Sequence, residues 1–363
     1  MGDSLLFAPI VTKNKLLQRA TLGKKMTARH HHYLSQCYLK GFTKGGSKKS
    51  KLKVFDLSNK KIFETIPRNV GGIRDFNRVD IKGVDQNTIE KSLSIFEGEA
   101  ASALRKLEET HEFEGKTKEL ILNLIALLAV RSPEMREHWR GFQAKIAERM
   151  MDLSLATKER WESQIQQVKE SGKEINDNVT YEEVKKFHES KEYTITVARE
   201  HHIRMEFVGV EAILPLLHAR EWLLIKTTDE TGPLITTDNP VNLVWKEPDK
   251  IPPFYRNSPG YEMKDTQVYF PVSKNLGLIG EFDIEGGVLD GNKDLISALN
   301  SKLLMFSYKQ VYAPKIQFNF RWKDGEILNG NELFNRRGVR PSKVNNSSGC
   351  ESHSGKAGQP PDS

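Results

Sequence analysis

Three consecutive histidines, His30, His31 and His32, stand in the stretch ARHHHYLSQCYLKGF (residues 28–42), directly ahead of a tyrosine and an apolar run. A neutral imidazole can act as a general base or a metal ligand, and a protonated one can hold a phosphate. His32 abuts the apolar run and is the candidate acid or base, while His30 and His31 are expected to alternate outward in a basic loop. The alternative for His32 is a capping or core histidine. A second pair, His201 and His202, falls within a helical stretch and reads as structural. Further along, ITTDNPV (235–241) places Asp238 and Asn239 straight after a short apolar run. Both residues are normal turn formers ahead of a proline. The end of a strand is also where a rigid scaffold presents a catalytic carboxylate, and an acid among hydroxyls and an amide could orient a histidine or hold a divalent cation. Too few ligands fall at zinc spacing for a structural zinc site.

Two helical stretches supply the remaining candidates. In NTIEKSLSIFEGEAASALRKLEE (87–109), Ile89, Leu93, Phe96, Ala100, Leu104 and Leu107 share one helix face. Glu97 projects about 60° from the centre of that stripe and Glu99 about 100° on the other side, so Glu97 borders the core and Glu99 is solvated. The apolar helix of residues 118–131 ends at Arg131. A guanidinium so near the core needs a carboxylate or an anionic ligand, and Glu97 is the expected internal partner. Ser132, Pro133 and Glu134 then supply an N-cap, a proline suited to the first helical position and an acid for the helix dipole.

The elements that must position these side chains are legible as coarse pattern. A short helix begins at Tyr33, and KLKVFDL and KIFETI flank the turn SNK as a hairpin. Residues 134–170 read as one polar helix, 171–180 as an exposed loop, and 181–220 as a third helical region bent at Pro215. After Trp222 come the strand-like runs WLLIKT, PLIT, VNLVW, VYFPVS and LGLIGEF, a helix at 293–306, the strand KQVYAP and a further strand at FNFRW. The expected fold is α+β: a helical middle packed on a mixed or antiparallel sheet, with an N-terminal hairpin. The expected organisation is a basic flexible leader (1–27), one globular domain (28–335, helical to 222 and strand-rich from 223) and a disordered tail (336–363).

Composition limits the function classes. The chain of 363 residues carries +7, but residues 1–61 hold fourteen Lys or Arg against Asp3 and Asp56. That segment alone is +12 and the remainder −5. Such polarity attracts polyanions, nucleic acid first among them, unless the segment is simply a solvated basic arm. The two cysteines, Cys37 and Cys350, lie far apart and suit reduced thiols of a cytoplasmic protein. The run LILNLIALLAV (120–130) is short of the roughly 20 residues of a membrane span, and no membrane partner is expected. There is no HExxH, no GxSxG and no paired CxxC, and GKT at 115–117 lacks the glycine of a phosphate loop.

HHYLSQCYLKGF, VFDLSNKKIFETIPRNVGGIRDF, FEGEAASALRKL, LLAVRSPEMRE, REWLLIKTTDETGPLITTDNPVNLV and VYFPVSKNLGLI together resemble a bacterial family, domain of unknown function 4238, over most of residues 30–313. Ser35 stands where the family usually has proline, and Thr237 where serine is more usual. The resemblance implies a shared fold and a site that includes His32 and Asn300 of the last helix, with no established activity. The leading expectation is a nucleic-acid-directed protein, a phosphodiester hydrolase in which His32, Asp238 and Glu97 do acid–base or metal-binding work and Arg131, Asn239 and Asn300 hold substrate. The alternative is a non-catalytic binding protein whose polar cluster is structural, and a third reading is an enzyme on a small phosphorylated metabolite. Because the tail has almost no apolar residue, deleting the chain beyond residue 340 is expected to leave the thermal melting temperature unchanged; a fall of several degrees would mean that the tail docks on the body.

Overall fold

The computed structural model describes residues 29–172, 179–257 and 259–335; the leader at 1–27 and the tail at 336–363 lie outside them. His30–His32 forms a strand, β1, followed by the short helix α1 (Gln36–Leu39). Ser35 starts that helix by accepting from the Tyr38 N–H at 3.3 Å. The hairpin is β2 (Leu52–Asp56) and β3 (Lys61–Thr65), paired antiparallel as the alternation predicted. Strand β4 (Gly72–Arg74) returns to pair antiparallel with β1. Two glycines make that return possible. Gly71 has φ +65, and an added Cβ would stand 2.9 Å from Leu34 Cβ; at Gly72 one would meet the His30 ring at 2.4 Å.

The helical middle runs α2 (Thr88–Thr110), α3 (Gly115–Val130), α4 (Pro133–Ser154), α5 (Lys158–Glu170), α6 (Tyr181–Ser190) and α7 (Arg199–His218). Helix α3 is apolar all round and correspondingly buried all round, from Ile121 to Val130 with little interruption. It packs between α2 and α7. The single polar helix expected at 134–170 is two helices. Thr157 interrupts it by accepting from the Arg160 N–H, a new N-cap only three residues after α4 ends. The helical region expected at 181–220 is likewise two helices, because Lys191 closes α6 in the left-handed conformation and residues 192–198 are irregular. Pro215 falls in the last turn of α7.

The strand-rich part contains β5 (Glu221–Lys226), β6 (Thr236–Thr237), β7 (Asn242–Trp245), β8 (Thr266–Pro271), β9 (Leu276–Glu281), β10 (Gly287–Asp290), helix α8 (Lys293–Phe306), β11 (Gln310–Ala313), β12 (Asn319–Arg321) and β13 (Ile327–Asn329). The run PLIT is a strand only at its end, where Thr236 and Thr237 pair with β11. One sheet has the order β10-β5-β9-β8-β7, with β10 parallel to β5 and the other pairs antiparallel; a second has the order β3-β2-β11-β6. The fold is therefore α+β with mixed and antiparallel sheets. The larger core joins α1, α2, α3 and α7 to β8 and β9, and a second core forms around α8 from Phe55, Ile225, Ile296, Leu299, Val311 and Phe318 among others.

Asn300 ties α8 into this second core. It is fully buried, its Oδ1 accepts from the Ile235 N–H (3.1 Å), and its Nδ2 donates to the carbonyls of Pro233 (3.1 Å) and Asn319 (2.8 Å). Asn300→Ala strands three buried backbone groups, so a urea midpoint lowered by the equivalent of about 2–4 kcal/mol is expected.

Candidate functional site

Strand alternation decides where the three histidines point. On β1, His31 is fully buried and His30 is exposed with His32 half-buried, the reverse of an outward-facing His31. The expectation of a basic loop here is corrected by the pairing of β1 with β4, which faces His31 against Ile73 and turns it into the core. The His31 Nδ1 accepts the Asn77 N–H at 2.9 Å, so the imidazole proton sits on Nε2, which finds no acceptor among the described residues. On the other face His32 and His30 meet edge to face at 5.1 Å. The His32 Nε2–H donates to the Arg68 carbonyl (3.2 Å), and burial holds the imidazole below its ordinary range. His32 is therefore a neutral ring with Nδ1 as its remaining lone pair.

Arg131 follows the last residue of α3 and is only 3% exposed. Its Nη2 donates to the backbone carbonyl of His32 at 2.8 Å, and its Nε–H has no acceptor among the described residues. No ion pair joins it to Glu97, the partner expected from sequence. Glu206, Glu97 and Glu90 surround it at longer range and favour its charge, against the burial that disfavours it. Glu206 is itself claimed by Arg136, one turn into α4, in a bidentate pair. The Arg136 guanidinium also donates to the Phe76 carbonyl and lies over the Phe76 ring. Asn77 completes the network, its Nδ2 donating to Glu90 at 2.6 Å.

Glu97 has a different character. Burial pushes its carboxyl up to about 7, with Arg131 pulling the other way and Glu90 adding to the rise. Cys37, close enough to feel that carboxyl, is raised to about 11 by burial, and its thiol lies 3.0 Å from Ser35 Oγ. It is no thiolate at neutral pH.

Asp238 occupies a separate position at the start of the turn after β6. Its Oδ1 accepts the Tyr308 N–H (2.9 Å) and its Oδ2 those of Lys309 (2.7 Å) and Gln310 (3.0 Å), so the carboxylate brackets the chain between α8 and β11. Burial, with Glu134 adding to it, still lifts Asp238 to about 6. Asn239 donates from Nδ2 to the Phe306 carbonyl at the end of α8, and its backbone closes a turn on Thr237 Oγ1. A cavity of about 420 Å³ lined by Ser132, Glu134, Asn239 and Tyr308, among others, opens beside this turn.

The sequence candidates thus fall into three groups. His32 and Arg131 touch, with Glu97 in their field; Asp238 and Asn239 form a turn reached through Tyr33 and Glu134. None of the hydrogen bonds of Asn300 reaches either group. Among the described residues no group of three or more His, Cys, Asp or Glu is arranged to hold a metal ion. Sequence reading missed His31, Asn77, Glu90, Arg136 and Glu206. The available signal was the period of two on HHH, which must bury the middle residue if its neighbours face out.

A larger feature lies on the face carrying α1 and the β8–β9 turn. A cavity of about 730 Å³ is lined by Lys44, Lys53, Lys274 and Lys315 among others, and one of about 500 Å³ by Lys40, Lys44, Arg105 and Lys274. They share Lys44, Lys274 and Asn275 and form one basic trough. Lys274 is fixed there, its Nζ donating to the carbonyls of Thr43 (3.2 Å) and Lys44 (2.7 Å). Of the three lining acids, Glu64 pairs with Lys51 and Lys53, Glu108 accepts from Ser273 and Asn275, and Asp229 lines the larger cavity in no ion pair among the described residues.

The family model described as protein of unknown function DUF4238 matches residues 30–315. Neither the curated proteins nor the solved structures compared contain a match. Among the described residues no helix is long and apolar enough to cross a membrane.

The Glu97 carboxyl generates a pH prediction. Its folded value lies above the ordinary carboxylate range, so the folded state binds the proton more tightly, and the associated stability is present at low pH and lost as pH rises from about 4.3 through about 7. His32, lowered in the fold, has the opposite sign, so the comparison needs a variant. The stability of Glu97→Gln relative to the parent is expected to rise by roughly 2–3 kcal/mol from pH 5 to pH 8, measured by chemical denaturation at both values.

Proposed function

The chain belongs to the DUF4238 family, and we propose that it is a polyanion-binding protein that engages nucleic acid along the basic trough, with the His/Glu/Arg/Asp groups as its internal framework. The trough is the observation that carries this reading. It brings Lys40, Lys44 and Lys53 of the basic segment together with Lys274, Lys315 and Arg105 from elsewhere in the chain. Among the described residues Lys40, Lys44, Arg105 and Lys315 form no ion pair, so their charge is available to a ligand. Two joined depressions sharing Lys44 and Lys274 suit successive phosphates of one strand better than a single compact anion.

The internal groups support a framework role. Arg131 is spent on a backbone carbonyl, Asp238 on three backbone N–H groups and His32 Nε2 on another carbonyl. A phosphodiester hydrolase needs an acid or base and a phosphate clamp that substrate can reach. Glu97, a carboxyl at about 7 with no hydrogen-bond or ion-pair partner among the described residues, favours that second reading.

The test is fluorescence anisotropy with labelled single-stranded DNA and RNA at two salt concentrations. Lys44→Glu with Lys315→Glu is expected to weaken binding at least about tenfold and to flatten the salt slope by roughly two ions. Equal isotherms for parent and variant, or no binding by the parent at low salt, would remove the proposal. Shortening of the oligonucleotide by the parent, abolished by Glu97→Gln, would move the assignment to the hydrolase.

A further inference from the structure

Helix α4 carries a row of apolar side chains that the described residues leave uncovered. Trp139 is half-buried, but Phe142 is 49% exposed, Ile146 44%, Met150 62% and Leu153 62%. An exposed apolar row of this length is uncommon on a folded surface and marks a place of contact. The helix is not short of neighbours elsewhere. Its far side, roughly 120–160° from the row, is occupied by α6, through His188 to Asp152 (2.6 Å), Lys191 to Glu148 (2.7 Å) and the Tyr181 hydroxyl to the Leu155 carbonyl (2.9 Å). Its first turns are fastened to α7 by Arg136 and Glu206.

The spacing identifies what would cover the row. From Trp139 the steps are three, four, four and three, which average about 3.5 residues, the period at which a second α-helix can stay in register along a seam. The rim supplies the charge. At about 100° per residue, Arg149 and Lys145 lie some 60–100° to one side of the row, Arg149 84% exposed beside Asp152 and Lys145 in no ion pair among the described residues; on the other side Arg136 is held by Glu206 and Arg140 by Glu137, and no carboxylate of α4 lies within about 100°.

A second copy laid antiparallel about a two-fold axis would bring Arg149 beside the other copy's Lys145, a like-charge contact that disfavours it. The chain's own ends fit no better. Residues 1–28 carry five basic residues against Asp3, and residues 336–363 five against Glu351 and Asp362.

We infer that this face of α4 is a docking site for an amphipathic helix of another protein, one with acidic residues flanking its apolar seam. The mode is a helix laid along an apolar track, with the Lys145–Arg149 edge selecting the partner's charge.

Two synthetic peptides of three heptads test it, both with leucine at the seam positions, one with glutamate and one with lysine at the flanks. Anisotropy with the full chain is expected to show the glutamate peptide binding at least about tenfold more tightly. Ile146→Asp with Met150→Asp should remove that binding without altering the melting temperature. Lys145→Glu with Arg149→Glu, which leaves the apolar row intact, should reverse the peptide preference. Equal affinity for both peptides, or binding that survives Ile146→Asp with Met150→Asp, overturns the inference. So does self-association in sedimentation equilibrium that this variant abolishes, which assigns the face to a second copy, or flotation on phosphatidylglycerol vesicles that it abolishes, which assigns the face to lipid.

Discussion

A guanidinium inside a protein has to be met by acceptors, and the way Arg131 is met orders much of the structure around it. Its bond to the His32 carbonyl joins the end of α3 to β1, one residue past the point where His31 turns into the core. Burial of a charge is tolerated when the surrounding groups are held in place, and here three carboxyls on two other helices supply the compensating field. Arg136 then holds one of those carboxyls and reaches back to Phe76 and Asn77, and Asn77 in turn donates to both His31 and Glu90. The arrangement is a closed chain of fixed groups running from β1 through the loop after β4 to α2, α4 and α7. It explains why His31, in the middle of a run of histidines in a basic segment, is buried and held.

The elements that rest on one local period were legible. Helices α2, α3 and α8 follow directly from apolar spacing, and the Ser132–Pro133–Glu134 start of α4 was readable from capping chemistry. Pattern failed where a partner distant in sequence decides the outcome. His30–His32 becomes a strand only because Gly72–Arg74 folds back upon it, and Arg131 bonds a carbonyl on β1 while Glu206, a carboxylate in its field, is held by Arg136 from seventy residues earlier. The breaks at Thr157 and Lys191 are local, but a threonine or lysine in a polar helical stretch carries no distinctive signal until its backbone is seen. Of the candidate site residues, the turn chemistry of Asp238 and Asn239 was visible, while the three backbone groups that the Asp238 carboxylate gathers belong to a turn seventy residues away.

Charge tells a similar story. The count along the chain assigned the basic character to the first sixty-one residues and an acidic balance to the rest. In space, Lys274 and Lys315, which belong to that acidic remainder, line the same cavity as Lys44 and Lys53. A segment's net charge is a sum over residues pointing in all directions, whereas a ligand feels only those that share a face.

The pairing of β2 with β11 also bears on how the molecule is made. Residues 52–56 lie between β3 and a strand at 310–313, so the inner side of the hairpin has no permanent partner until some 250 residues more have been synthesised. At typical rates of about 5–20 residues per second, that interval is on the order of tens of seconds. A hairpin waiting so long with one edge bare is exposed to pairing with any other strand in reach. Lys51, Lys53, Lys60 and Lys61 crowd this hairpin, and like charges on two such ribbons oppose their edge-to-edge meeting. Of these lysines only Lys53 also lines the basic trough, so the charge that opposes premature edge pairing is largely separate from the charge of that cavity.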